Sequence, residues 1–337
     1  MSPDRLWVPE SSKFQVRKVL VAGSRGPCGG VVAAIDGVRL LASEGIPIKT
    51  NNDLVHNIPM VEELKADDIV SAGKDWKSLA KDTRLAWSAH GHTEEDDRIA
   101  EELGLETYDF TCSLVIRVEL GVAKADRNNH YVVYIGKDGH PETRAVMSRA
   151  RQENRVLVQN IEELDHLALP NDRPSEVFSQ TTLMADKVAE IEQSFMMRWP
   201  DVIIHKKKDL CDATLNRQEA VKALAPQVDM LLVVGSPHSD NSNALRDVGE
   251  RAGVVHSYIF DYPHQIQDAW FTPEVNVVGL TSGASVLDRF MLPVVDWLKE
   301  RNPEIEVFFQ EPVRDEFVGA FKLPPRTETK LKQLRGE

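Results

Sequence analysis

Apolar residues in this chain follow two rhythms that alternate along most of its length. Short stretches rich in valine, isoleucine and leucine, among them Val16–Ala22, Tyr131–Ile135, Met230–Val234 and Val275–Leu280, read as buried strands. Between such stretches the apolar residues recur at helical spacing: Val32, Ile35, Val38 and Leu41 mark a helix from Val31 to about Ala42, which Gly45 ends. Further strands are predicted at Ile46–Lys49, Asp68–Val70, Leu85–Ser88, Glu153–Val158, Glu176–Ser179 and Val254–Ile259. Helices are predicted from Cys112 through Ala125 and over Leu183–Trp199, Asn216–Leu224 and Val286–Lys299. Strand and helix alternate throughout, which predicts small, mainly parallel α/β sheets. The segment after Val313, with Pro324-Pro325, shows no hydrophobic period and reads as a mobile tail.

The chain has three cysteines, and each opens a segment of similar spacing. Counting from Cys28, Cys112 and Cys211, an offset of 28 residues reaches His56, His140 and Ser239. That recurrence is the mark of a threefold internal repeat. It divides the chain into three pseudo-threefold-related small α/β domains: 29–111, 112–210, and 14–28 together with 211–300. Residues 1–13 then form an N-terminal extension and 301–337 a C-terminal tail. Each third has a second polar strand end: Ser88-Ala89-His90-Gly91, Ser179-Gln180-Thr181-Thr182 and Thr281-Ser282-Gly283-Ala284-Ser285. Parallel sheets bind ligands beyond the carboxyl ends of their strands, so the cysteines and six polar loops are expected around one cavity.

At 337 residues the chain suits two or three domains, and 42% hydrophobic with 28% charged residues is ordinary for a globular protein. A net charge of −13 argues against broad nucleic-acid binding. Lys206-Lys207-Lys208 is the one dense basic run and reads as a solvated turn. No apolar run approaches the length of a membrane span, and the N-terminus lacks a signal-peptide core, so a cytoplasmic address without membrane partners is expected. An odd number of cysteines spread over a long chain points to reduced, functional thiols.

Three converging thiolates are the ligand set of a 4Fe–4S cluster with one iron open to substrate. The polar loops are rich in His, Ser, Thr and Asn, groups that bind a phosphate by hydrogen bonds. His56, His90 and His140 would supply most of the positive charge there, since an anion raises an imidazole pKa. Glu142, two residues beyond His140, is placed to carry a proton. In His90-Gly91-His92, His90 is taken as the site residue and His92 as a solvent-facing neighbour. Singly, each of these residues has an ordinary structural reading, a cysteine as a small core residue for example. The shared offset is what sets them apart.

These segments resemble the 4-hydroxy-3-methylbut-2-enyl diphosphate reductases from about Val19 to Leu298. The likeness is carried by Arg25-Gly26-Pro27-Cys28-Gly29-Gly30, Val55-His56-Asn57, Ser88-Ala89-His90-Gly91, Thr111-Cys112, Gly139-His140-Pro141-Glu142 and Gln180-Thr181-Thr182-Leu183. Asn216-Arg217-Gln218-Glu219-Ala220, Val233-Val234-Gly235-Ser236, Asn241-Ser242-Asn243 and Gly283-Ala284-Ser285 extend it. The resemblance implies a trefoil of three α/β domains around a 4Fe–4S cluster held by Cys28, Cys112 and Cys211. It implies Glu142, His140 and Thr181 as the catalytic set, with His56, His90, Thr214, Asn216, Ser239, Asp240, Asn241 and Ser285 joining His140 and Thr181 in binding substrate. The implied reaction removes an allylic hydroxyl with two electrons and two protons, giving isopentenyl and dimethylallyl diphosphates, with a ferredoxin or flavodoxin as donor.

The sequence departs from the family pattern at Pro27, Gly29, Phe110, Ser113 and Val286-Leu287, and most notably at Asp240, where a diphosphate-touching serine is usual. Two like charges 4 Å apart repel by about 4 kcal/mol at an effective dielectric near 20. Asp240 therefore turns away, is protonated, or marks a divergent member with another substrate. The alternative readings of the residues are a redox-neutral 4Fe–4S dehydratase or synthase, and a cluster-bearing sensor, which would leave Glu142 without a role.

Overall fold

The computed structural model describes residues 14–45, 47–81, 83–205, 209–313 and 322–336. The chain opens with β1 (Lys18–Val21), followed by α1 (Gly29–Ala42), β2 (Ile48–Thr50), α2 (Ile58–Ala66), β3 (Ile69–Ser71), β4 (Arg84–Trp87), α3 (Glu94–Glu102) and β5 (Glu106–Asp109). It continues through α4 (Ser113–Arg127), β6 (Tyr131–Ile135), α5 (Pro141–Met147), β7 (Arg155–Val158), β8 (Ser175–Ser179), α6 (Ala185–Arg198) and β9 (Ile203–Ile204). Then come α7 (Asp212–Leu224), β10 (Met230–Val234), α8 (Asp240–Arg251), β11 (His256–Phe260), β12 (Val277–Ser282), α9 (Leu292–Arg301), β13 (Glu306–Phe309) and α10 (Pro325–Arg335).

The strands form three sheets, ordered β3-β2-β4-β5, β7-β6-β8-β9 and β11-β10-β12-β1-β13, and every pairing is parallel. Each sheet opens in the same way, with its second strand, its first and then its third side by side. The 28-residue offset has its physical meaning here. Each cysteine precedes a helix (α1, α4 or α7), the helix leads into the first strand of a sheet (β2, β6 or β10), and the loop after that strand carries His56, His140 or Ser239. The first and third strands are neighbours across the point where the order reverses, which is where such sheets bind ligands.

The backbone gathers into two compact units, one holding the five-stranded sheet and the other, spanning Pro27–Leu215, holding both four-stranded sheets. Parallel sheets need cover on both faces. On one face of β7-β6-β8-β9, Val115, Val118, Val122 and Ala125 of α4 pack against Val132, Tyr134 and Phe178. On the other, Val188, Ile191 and Phe195 of α6 pack against Val133, Ile135 and Val177. Each such fully buried side chain contributes about 1.5–3 kcal/mol by removal from water. In the other unit Met230, Leu232, Val278 and Leu280 of the central strands pack with Val286, Val294 and Leu298.

The structure departs from the sequence expectations at several points. The buried stripe of α1 starts at Val31, while Val32 is exposed. After Ser285 a short 3-10 helix at Asp288–Phe290 precedes the α-helix, which begins only at Leu292, and Val286 is buried in the core of its unit. The strands β5, β9 and β13 had no strong alternation to announce them, and β13 pairs with β1 at the edge of its sheet. The Lys206–Lys208 run and residues 1–13 lie outside the described residues.

The segment after Val313 contains a helix rather than a mobile tail. In α10 Thr327 and Leu331 are buried, one turn apart, and Gly336 closes the helix in the left-handed conformation. The Thr327 hydroxyl accepts the Asp109 N–H at 2.8 Å, and the Lys330 ammonium lies 4.2 Å from the Tyr108 ring centre. Leu331 meets α1 where Gly37 leaves room: a side chain at Gly37 would come within 3.3 Å of Leu331 and 2.3 Å of Phe110. Phe110, one of the departures from the family pattern, is thus fully buried against α1. Two buried positions in a short, charged helix leave a weak periodic signal. Truncating Leu331 to Ala should cost about 2 kcal/mol and expose the α10 amides to hydrogen exchange. Unchanged protection over Pro325–Arg335 would show that the contact does not hold the helix.

Candidate active site

The compact unit spanning Pro27–Leu215 contains all three cysteines. None forms a disulfide, and each stands at the head of a helix. The carbonyls of Cys28, Cys112 and Cys211 accept the first helical bonds, from Val32, Ile116 and Leu215, at 3.0–3.1 Å. A helix N-terminus carries partial positive charge and favours a thiolate. Burial pushes the Cys112 thiol up to about 12, and the charges of Cys28 and Cys211 add to that rise, so the three groups sense one another. The Cys211 sulfur also lies 2.9 Å from the Thr214 hydroxyl and accepts the Thr214 N–H at 3.2 Å. Ionising three neighbouring thiols without a cation is electrostatically unfavourable, and a bound metal cluster with Cys thiolate ligands would relieve that cost.

Beyond the strand ends of the same unit stand three imidazoles. His56 and His90 stack with centroids 4.2 Å apart, and His140 stands edge-on to both at 5.6 Å. The Asn57 side chain caps α2 by accepting the Met60 N–H, which fixes the chain immediately after His56. His140 is itself the cap of α5, its Nδ1 accepting the Glu142 N–H at 3.2 Å, and Pro141 follows at a helix start that suits it. The ring nitrogens of the three histidines lie within 4.8 Å of one another, close enough to hold a metal ion. Hydrogen bonding favours an anion instead. With Nδ1 engaged as an acceptor, the neutral His140 ring carries its proton on Nε2 and offers a donor, not a lone pair. Burial and the charges of His56 and His140 hold the His90 pKa well below its ordinary value. A bound polyanion would reverse that shift and recruit positive charge.

Glu142 is buried and accepts two hydrogen bonds from one residue: Thr181 N–H to Oε1 at 2.7 Å and Thr181 Oγ1–H to Oε2 at 2.9 Å. Beside it lies the fully buried Tyr134, whose phenol is held far above its usual pKa by burial and by the Glu142 charge. The carboxylate is therefore joined to the strand end of β8 through a threonine hydroxyl, an arrangement that can pass a proton.

Three amide side chains build the site: Asn51 and Gln180, which were not among the predicted site residues, and Asn241, predicted only as a substrate contact. Asn51 Oδ1 accepts the Ser88 N–H at 2.9 Å, tying the loop after β2 to the end of β4. Gln180 Oε1 accepts the Lys137 N–H at 3.0 Å, tying the loop after β8 to the loop after β6. Asn241 Oδ1 accepts the Ala284 N–H at 2.9 Å and joins the corresponding loops of β10 and β12. An amide clasp thus recurs in all three repeats across the point of order reversal. Its signal, Asn or Gln just past a strand end, was present but shared with ordinary turn chemistry.

His92 is a correction. It is buried, not solvent-facing: its ring stacks on Trp87 with centroids 4.6 Å apart, and Nε2 meets Asp97 at 3.0 Å. The apolar face of Trp87, at the end of β4, draws the ring inward.

The remaining predicted site residues belong to the other compact unit. Ser239 caps α8, with Oγ accepting the Ser242 N–H at 3.3 Å, and Asn241 reaches the loop that bears Ser285. Asp240 is the first residue of α8 and partly buried, where the positive end of the helix favours its carboxylate. Asn216 is buried on α7 beside Arg217, a guanidinium almost wholly enclosed and bonded to the carbonyls of Arg25 and Gly26 at 2.7–3.2 Å. Gly26 takes φ +77° and its N–H donates to Ser282 Oγ at 2.9 Å, so the loop ahead of Cys28 is anchored from both sides.

The chain is similar to known proteins over most of its length. The family described as LytB protein matches residues 19–299. A protein of Tolumonas auensis named 4-hydroxy-3-methylbut-2-enyl diphosphate reductase is 38% identical over 284 residues, 83% of this chain and 91% of that protein. A Burkholderia mallei protein named 4-hydroxy-3-methylbut-2-enyl diphosphate reductase 2 is also 38% identical, over 84% of this chain and 86% of its own length. The solved structure of the E-1-hydroxy-2-methyl-but-2-enyl-4-diphosphate reductase from Plasmodium falciparum superposes with a TM-score of 0.89 at 25% identity, covering 96% of this chain and all of that one. With the match running through most of its length, the chain belongs to the LytB protein family.

Proposed function

We propose that this chain reduces 4-hydroxy-3-methylbut-2-enyl diphosphate at its allylic carbon, giving isopentenyl and dimethylallyl diphosphates. One C–O bond breaks, the hydroxyl leaves as water, and two electrons and two protons are consumed. A ferredoxin or flavodoxin supplies the electrons. One observation carries the reading: three thiols heading helices, three clustered imidazoles and a buried Glu–Thr pair stand in one compact unit of a chain whose relatives bear that reductase name.

The donor set fits a 4Fe–4S cluster held by Cys28, Cys112 and Cys211, with Thr214 hydrogen-bonding at Cys211 to tune it. Such a cluster, when bound, would supply electrons and Lewis acidity for loss of the hydroxyl. His56, His90 and His140 take the diphosphate, gaining charge as it arrives. Glu142 and Thr181 deliver protons, the carboxyl group through the threonine hydroxyl. For Asn216, Ser239, Asp240, Asn241 and Ser285 the family likeness supports contact with the same substrate. The test of the whole reading is anaerobic purification and assay of the reductase substrate with dithionite and a viologen. No reductant-dependent product would overturn it.

Glu142→Gln keeps the acceptor for the Thr181 N–H but cannot give up a proton. Turnover should fall by about 10²–10⁴-fold with pyrophosphate binding retained, measured by steady-state kinetics and calorimetry. Replacing Cys112 with Ser should bleach the brown chromophore and lower iron per chain. Full iron and colour in that variant would remove Cys112 from the ligand set. His90 starts with a depressed pKa and is raised by a bound anion, so binding takes up a proton. Pyrophosphate should therefore bind more tightly as pH falls from 9 to 6, with a steeper slope than in His90→Ala. Equal slopes in the two proteins would show that His90 does not titrate on binding.

A further inference from the structure

Near the loop that carries His90 lies a half-buried charged group that the proposed chemistry does not use. Arg149 follows the C-terminal end of α5, the helix that His140 caps. One of its nitrogens donates both to the carbonyl of His92, at 3.1 Å, and to Glu119 Oε2, at 3.1 Å. His92 closes the short segment that begins at His90, and Glu119 is buried on α4, the helix headed by Cys112. The other terminal nitrogen lies 3.4 Å from the exposed Glu94 at the start of α3.

One guanidinium therefore ties together the loop of His90, the helix of Cys112 and the helix of His140. Gly91 shows how tight the junction is. It takes φ +90°, and a side chain there would come within 2.9 Å of Ala145 on α5 and 3.0 Å of Glu119 Oε1 on α4. The loop must run pressed against both helices, and Arg149 anchors it at His92 O. Arg suits this place because its planar fork reaches two acceptors in fixed directions, which an ammonium does not.

We propose that Arg149, braced by Glu119, is a positioning residue that sets His90 in register with His56 and His140 for binding the diphosphate. This rests on the reading of His90 as a diphosphate ligand, and the test separates the two. In a double-mutant cycle, pyrophosphate affinity is measured by calorimetry on anaerobically purified parent, Arg149→Met, His90→Ala and the double variant, with iron content and circular dichroism as checks. A residue acting through His90 weakens binding by about tenfold alone and by less than about twofold once His90 is gone. A merely structural role makes the two losses multiply, which overturns the inference, as does unchanged affinity in Arg149→Met. If His90→Ala itself binds pyrophosphate like the parent, the diphosphate role of His90 fails and the inference falls with it. Should Arg149→Met not fold, Arg149→Lys enters the same cycle. It keeps the charge opposite Glu119 but lacks the planar fork that reaches His92 O, Glu119 and Glu94 at once, and the same pattern of coupling is expected at a smaller loss.

Discussion

Strand-end loops that carry polar side chains must satisfy their own backbone groups away from water, and this protein solves that problem the same way three times. In each sheet an amide side chain from one loop accepts the N–H of the other, across the point where strand order reverses: Asn51 to Ser88, Gln180 to Lys137, Asn241 to Ala284. The clasp closes the ladder and holds the two loops side by side. In the first repeat those loops carry His56 and His90. In the second they carry His140, Glu142 and Thr181, and the Glu142–Thr181 pair is a second tie across the same gap. Site geometry is thus a by-product of backbone satisfaction.

The electrostatics of the unit that holds the cysteines are arranged around charges that arrive from outside. Burial, and after it the charges of Cys28 and Cys211, raises the Cys112 thiol, while burial, and after it the charges of His56 and His140, lowers the His90 imidazole. Each cluster is costly when empty of counter-charge and relaxes when it receives one, cations for the thiolates and a polyanion for the imidazoles. Glu142 differs, since it is already fully engaged by Thr181. Asp240, the residue least like the family pattern, also has a local reason to be charged, at the first position of α8.

Two partly or wholly enclosed guanidinium groups fix the positions of loops. Arg217 pins the loop before Cys28 through two carbonyls, and Arg149 ties His90's loop to two helices. Both join segments far apart in sequence, where a small displacement would misplace a binding group. A guanidinium can serve several carbonyls at once, which explains why arginine stands at both places.

Much of the fold was legible in the sequence because it repeats. The 28-residue offset survives in the structure as one unit of cysteine, helix, strand and loop, and Tyr131–Ile135 and Met230–Val234 form strands with the expected bounds. The cysteines and the His, Glu and Thr residues at strand ends were legible for the same reason, since a parallel sheet fixes which end of each strand bears the loops. Whatever depended on contacts between distant segments was not. The burial of His92 follows from a Trp87 face that only the folded β4 presents, and α10 forms because Leu331 and Thr327 find α1 and β5. Short-range periodicity determines elements and their order. Which polar groups turn inward is decided by the partners that tertiary structure brings to them, and the roles of Asn51, Gln180, Arg149 and Arg217 exist only at that level.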